Sequence, residues 1–89
     1  MATLFVRHTV EDYKAWRKGF DEFQQTGQEH GIKSAAVYQA ADNAKDVTVT
    51  HDFDTVDAAR TFTLAEGLKT AMQKAGVVGT PTMWITNKA

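Results

Sequence analysis

Asp46-Val47-Thr48-Val49-Thr50-His51-Asp52-Phe53 alternates without a break. Val47, Val49, His51 and Phe53 share one parity; Asp46, Thr48, Thr50 and Asp52 share the other. A side-chain period of two belongs to a β-strand with one buried face. The run ends on a helix start. Asp54-Thr55-Val56-Asp57 offers Asp54 or Thr55 as cap, with Asp57 in the first turn near the positive end of the helix dipole. Upstream, Ala41-Asp42-Asn43-Ala44-Lys45 is a turn by its Asp-Asn pair. Before that turn, Ile32 to Ala41 is a second extended run, so the two form a hairpin. This earlier run has apolar residues on both parities, as in Ala35-Ala36-Val37-Tyr38, which predicts a strand covered on both faces.

Working outward, Thr3 to Val10 also alternates and predicts a first strand, with Leu4, Val6, His8 and Val10 on one parity. Thr9-Val10-Glu11-Asp12 then resembles a capping box, with Asp in place of Glu or Gln. Tyr13, Trp16, Phe20 and Phe23 recur at helical spacing and place four aromatic groups on one stripe. Gly27 and Gly31 bracket the end of that helix. The second helix carries Val56, Ala59, Phe62 and Leu64, then Leu68, Ala71, Met72 and Ala75, and closes at Gly76. Gly67 lies inside this pattern and costs about 1 kcal/mol relative to alanine, which predicts a kink or a two-part helix. Val77 to Pro81 reads as a connection and Thr82 to Thr86 as the last strand. The order βαββαβ predicts an α+β, ferredoxin-like fold, with both helices on one face of a four-stranded antiparallel sheet. The first and third strands lie adjacent at its centre. Phe5 and Trp84 then fall on the uncovered face. An aromatic face on so small a domain predicts a homodimer through the sheet faces.

The chain has 89 residues, one proline and no linker composition, which predicts a single domain over residues 1–89. A chain of this size exposes about 40% of its unfolded surface, so the core is modest. Ten basic and eleven acidic residues give a formal charge of -1, which argues against nucleic acid as a partner. No apolar run reaches the ~20 residues of a membrane span, so no membrane partner is expected. The N-terminal Met1-Ala2-Thr3-Leu4-Phe5-Val6-Arg7 is too short in apolar residues for a signal peptide. The absence of cysteine excludes disulfides, thiolate nucleophiles and iron–sulfur clusters, and fits a cytoplasmic protein.

The strand Phe5-Val6-Arg7-His8, the segment Asp12-Tyr13-Lys14-Ala15-Trp16-Arg17-Lys18-Gly19-Phe20-Asp21, the run Val47 to Asp54 with Asp57-Ala58-Ala59-Arg60, and Leu68 to Val77 together cover nearly the whole chain. In these segments the sequence resembles the dimeric α/β-barrel superfamily, which includes antibiotic-biosynthesis monooxygenase-like proteins and small polyketide cyclases. The resemblance implies a dimeric α/β barrel. It also implies a small-molecule cavity between sheet and helices, and chemistry as a polyketide-type cyclase or a cofactor-free monooxygenase. These patterns belong to the fold and carry no reaction of their own.

Three histidines are present. His8 and His51 lie on the inward parities of the first and third strands, and imidazole moves protons near neutral pH. Under the resemblance they would serve as general base and orienting donor. The competing reading makes them core histidines bonded to a carbonyl or to a carboxylate such as Asp12 or Asp52. Both lie late in antiparallel strands, so their separation is expected to be on the order of 10 Å or more. That spacing disfavours a His-His metal site, and no metal is expected. A haem held by one histidine stays open. His30, beside Glu29, reads as a solvated helix cap.

Trp16, Phe20, Val49 and Phe62 are the expected substrate-binding positions around the cavity, together with Tyr38, which needs a polar partner if buried. The same aromatic stripe also serves as ordinary core. Asp52, Asp54 and Asp57 form an acidic cluster; helix capping explains Asp54 and Asp57 more simply than a cation does, and there is no calcium-loop glycine pattern. Gly76-Val77-Val78-Gly79 lacks the features of a phosphate loop or dinucleotide fingerprint, and no flavin or nicotinamide signature is present, so no cofactor is expected. Two functions follow. One is a cavity enzyme acting on an apolar or aromatic small molecule. The other is a non-catalytic dimeric binding or scaffold module with structural histidines.

Overall fold

The computed structural model of the chain describes residues 1–27 and 31–89. His30, expected as a solvated cap, lies outside the described residues. The chain forms β1 (Ala2–Val10), α1 (Tyr13–Gly27), β2 (Ser34–Ala40), β3 (Asn43–Phe53), α2 (Val56–Thr63), α3 (Glu66–Lys74) and β4 (Val77–Asn87). The four strands make one antiparallel sheet in the order β2-β3-β1-β4. This is the ferredoxin-like α+β arrangement, with the second helical stretch in two parts.

Period-two patterning sets the inner face. Leu4, Val6, His8 and Val10 of β1 are buried, as are Val47, Val49, His51 and Phe53 of β3. Leu4 pairs with His51, Val6 with Val49 and His8 with Val47, so these side chains share one face. Trp16 from α1, Ala59 and Phe62 from α2, and Leu68 from α3 close over it. Burial of such side chains contributes roughly 1.5–3 kcal/mol each.

Several local expectations need correction. The cap of α1 is Asp12, whose Oδ1 accepts the Lys14 backbone N–H at 2.9 Å; Thr9 lies inside β1, where its backbone joins the ladder. At α2 the expectation holds: of Asp54 and Thr55 the cap is Thr55, whose Oγ1 accepts from Ala58 N at 3.1 Å. The break comes at Leu64-Ala65, ahead of Gly67. There the ladder tightens, with Ala65 N donating to Phe62 O at 3.1 Å, while the Thr63 hydroxyl donates to Arg60 O at 2.7 Å. Leu64 leaves the apolar stripe at this corner and is 83% exposed. β2 is an edge strand with exposed residues, since the strand order leaves it only one neighbour. β4 begins at Val77, and the expected connection is strand. Its pairing shifts between Arg7↔Thr82 and Thr9↔Val78, which places extra β4 residues in a bulge. Gly79 has φ +74 within it, a region that side chains disfavour.

The outer face mixes apolar and polar groups. Phe5 stacks on Trp84 with centroids 5.2 Å apart and planes 4° from parallel. Arg7 donates to both carboxylate oxygens of Asp46 at 3.0 and 2.7 Å. Asp52 accepts from the hydroxyls of Thr3 and Ser34.

Candidate functional site

The two inner histidines are placed by register. His8 stands opposite Val47 and His51 opposite Leu4, four residues apart along the sheet. At ~3.4 Å per residue their backbones are about 14 Å apart along that axis. An aromatic row from α1 fills the interval. His8 lies 5.4 Å from Trp16, Trp16 lies 5.1 Å from Phe20, and Phe20 lies 6.2 Å from His51, measured between ring centroids. The stripe exists because Trp16 and Phe20 are four residues apart on one helix face.

Between this row and α3 is a cavity of about 50 Å³. The sheet contributes Val6, His8, Val49 and His51 to its wall. Trp16, Gly19, Phe20 and Phe23 come from α1, and Leu68, Ala71, Met72 and Ala75 from the α3 side. Among the described residues no charged side chain lines it. Its volume holds one or two water molecules at ~30 Å³ each, whereas small-molecule pockets span ~300–1,000 Å³.

Both nitrogens of His8 and Nδ1 of His51 are buried with no hydrogen-bond partner among the described residues. A buried, unsatisfied polar atom costs about 1–3 kcal/mol. Neither carboxylate considered from the sequence satisfies them: Asp12 caps α1, and Asp52 is held on the opposite face by Thr3 and Ser34. Burial lowers the pKa of both histidines, and that of His51 falls to about 4. Asp46 and Asp52 oppose this weakly from across the sheet. Both imidazoles are therefore neutral at pH 7, each with one N–H donor and one lone-pair acceptor. The carboxylates themselves sit below their usual range. Asp46 is held there mainly by its hydrogen bond from Arg7, and Asp52 by those from Ser34 and Thr3.

Of the positions expected to meet a substrate, Trp16, Phe20 and Val49 line the cavity along with both histidines. Phe62 stands beside His51, at 5.3 Å between centroids, and is core against Phe53 at 5.5 Å; it does not reach the cavity wall. Tyr38 is not brought to this site. It pairs with Thr48 on the outer face and is 58% exposed. The α3 residues Leu68, Ala71 and Met72, with Ala75 just beyond, carried a visible apolar stripe, but periodicity alone does not say which wall a stripe forms. Gly19 gave no signal at all.

Among the described residues no group of three His, Cys, Asp or Glu side chains is placed to hold a metal ion. No described helix is long and apolar enough to cross a membrane. No protein-family model and no curated protein matches the chain. Solved structures do. A candidate antibiotic biosynthesis monooxygenase from Bordetella bronchiseptica superposes with a TM-score of 0.84 at 13% identity, covering 99% of this chain and 96% of its own. The cofactor-independent oxygenase SnoaB from Streptomyces nogalater gives 0.79 at 14% identity, covering 99% and 92%. A conserved protein from Methanosarcina mazei Go1 gives 0.76 at 14% identity, with the same coverage. The chain thus has the fold of antibiotic biosynthesis monooxygenase-like proteins over essentially its whole length.

Proposed function

We propose that this chain is a small-molecule-binding homodimer that acts on a flat, apolar or aromatic guest, as a cofactor-free monooxygenase or a polyketide-type cyclase. One observation carries this reading. Three buried imidazole nitrogens face or border an aromatic-lined, charge-free cavity with no protein partner. A guest with hydroxyl or carbonyl groups would satisfy them.

Neutral His8 or His51 can accept a proton from an acidic C–H or O–H of such a guest. Their lowered proton affinity restricts this to guests whose conjugate base is delocalised. In the oxygenase case the resulting carbanion passes one electron to O₂, and the radical pair joins as a peroxide. Collapse of the peroxide gives a ketone and water, so a CH₂ group and O₂ become C=O and H₂O. In the cyclase case the same enolate attacks a carbonyl carbon of the guest and the alkoxide recovers the proton. The Phe5–Trp84 stack and exposed Tyr38 support pairing of two sheets through their outer faces. The lack of cysteine accords with a cytoplasmic setting.

A second reading, a non-catalytic binding or scaffold module, is favoured by the small cavity volume of about 50 Å³. Oxygen uptake with a dihydroxyanthrone separates the two. The oxygenase reading expects uptake above the uncatalysed rate, reduced at least tenfold in His8→Ala or His51→Ala. Uptake equal to background, with no ring closure of a poly-β-ketone probe, leaves the module reading.

A further inference from the structure

We infer that α3 is the movable wall of the cavity, and that a guest enters by parting α3 from α1 at the Gly19–Ala75 contact. This rests on the cavity being a binding site, as proposed above.

At about 50 Å³ the cavity is too small for any ring system, so some wall must move. The sheet cannot, because β1 and β3 are paired without a break from Ala2↔Phe53 to Thr9↔Asp46. α1 is anchored by Trp16 and by its Asp12 cap. α2 is anchored by Ala59 and Phe62, both buried, and by its Thr55 cap. α3 differs on each count. It buries Leu68 alone, and its N-cap, Ala65, has no side-chain hydrogen bond to offer. Gly67 in its first turn weakens the helix by about 1 kcal/mol relative to alanine, and a Cβ built there would meet nothing within 4 Å. Hinges bound it on both sides: the tightened Leu64-Ala65 turn before it, and Gly76 with φ +85 after it.

The seam with α1 is narrow. A Cβ built on Gly19 would lie 3.1 Å from the Ala75 Cβ. A nine-residue helix is about 14 Å long and about 10 Å across. Lifting it outward by about 2 Å opens on the order of 300 Å³, the lower bound of small-molecule pockets.

The sequence has no cysteine, so Gly19→Cys/Ala75→Cys gives one defined cross-link across the seam once the two Cβ positions, 3.1 Å apart, move out by a few tenths of an ångström to disulfide spacing. The probe is 1,8-dihydroxyanthraquinone, read by quenching of Trp16 in a Trp84→Phe background. The expected result is binding by the reduced protein, at least tenfold weaker binding when oxidised, and recovery with dithiothreitol. Equal binding by both forms overturns the movable wall and leaves the site. No binding by wild type or reduced protein sinks the site reading for this class of guest. Hydrogen exchange on the unmodified chain tests the wall separately. Amides of α3 are expected to exchange at least tenfold faster than those of α1, and Gly67→Ala to slow them about fivefold. Protection of α3 equal to that of α1 overturns the inference whatever the probe does.

Discussion

Replacing His51 by phenylalanine tests the electrostatic account of the cavity directly. Burial takes the His51 pKa from 6.5 to about 4. Each tenfold loss of proton affinity corresponds to about 1.4 kcal/mol, so this shift is worth about 3 kcal/mol. The sign follows from proton binding. Between pH 6.5 and about 4 the unfolded chain holds a proton on this imidazole and the folded chain does not. Stability from His51 is therefore complete above pH 6.5 and falls as the medium is acidified to about pH 4, below which the loss is constant. Burial of His8 adds a loss of the same sign. Asp46 and Asp52 have depressed values, so their contributions persist until the pH drops below about 3.9, outside this window. In His51→Phe the His51 share vanishes. The added ring volume has the cavity to enter, so the variant is expected within about 1.5 kcal/mol of wild type at pH 7. Its advantage over wild type should grow by about 3 kcal/mol between pH 7 and pH 4. Urea unfolding followed by far-ultraviolet circular dichroism, at one fixed protein concentration, measures that difference. An advantage that does not change with pH, or a His51 imidazole that titrates near 6.5 by NMR, refutes the reasoning.

Other outcomes follow from single contacts. Phe62→Ala should cost about 3–5 kcal/mol in chemical denaturation, because the ring is 1% exposed among Phe53 and His51. Phe20→Ala should cost clearly less, since that ring is partly exposed and already borders a void. Thr55→Ala removes the α2 cap and should cost about 1 kcal/mol by the same measurement. Gly79→Ala should destabilise by about 1 kcal/mol or more, because its φ of +74 is strained for alanine. Trp84→Lys should shift the molecular mass by light scattering from dimer to monomer while the circular dichroism stays native; an unchanged dimer would place the interface elsewhere.

The reach of the sequence is clearest in the central strands. His8 and His51 share a buried face because strict alternation leaves a strand no other choice, and their wide spacing follows from antiparallel pairing. Trp16, Phe20 and Val49 were legible for the same reason: short-range periodicity fixes which face a residue takes. Tyr38 was not legible. β2 carries apolar groups on both parities, and only pairing of Tyr38 with Thr48 assigns it outward. Thr9-Val10-Glu11-Asp12 reads as a capping box with Thr9 as the cap, and the actual cap, Asp12, depended on where β1 ends. Ala71, Met72 and Ala75 announced a helix face, but the wall that face forms depends on how α3 crosses α1. Local chemistry thus decided element type and side-chain facing, which involve neighbours within a few residues. The cavity, its unpaired imidazoles and its thin α3 wall arise from packing between residues far apart in the chain, which only the assembled tertiary structure determines.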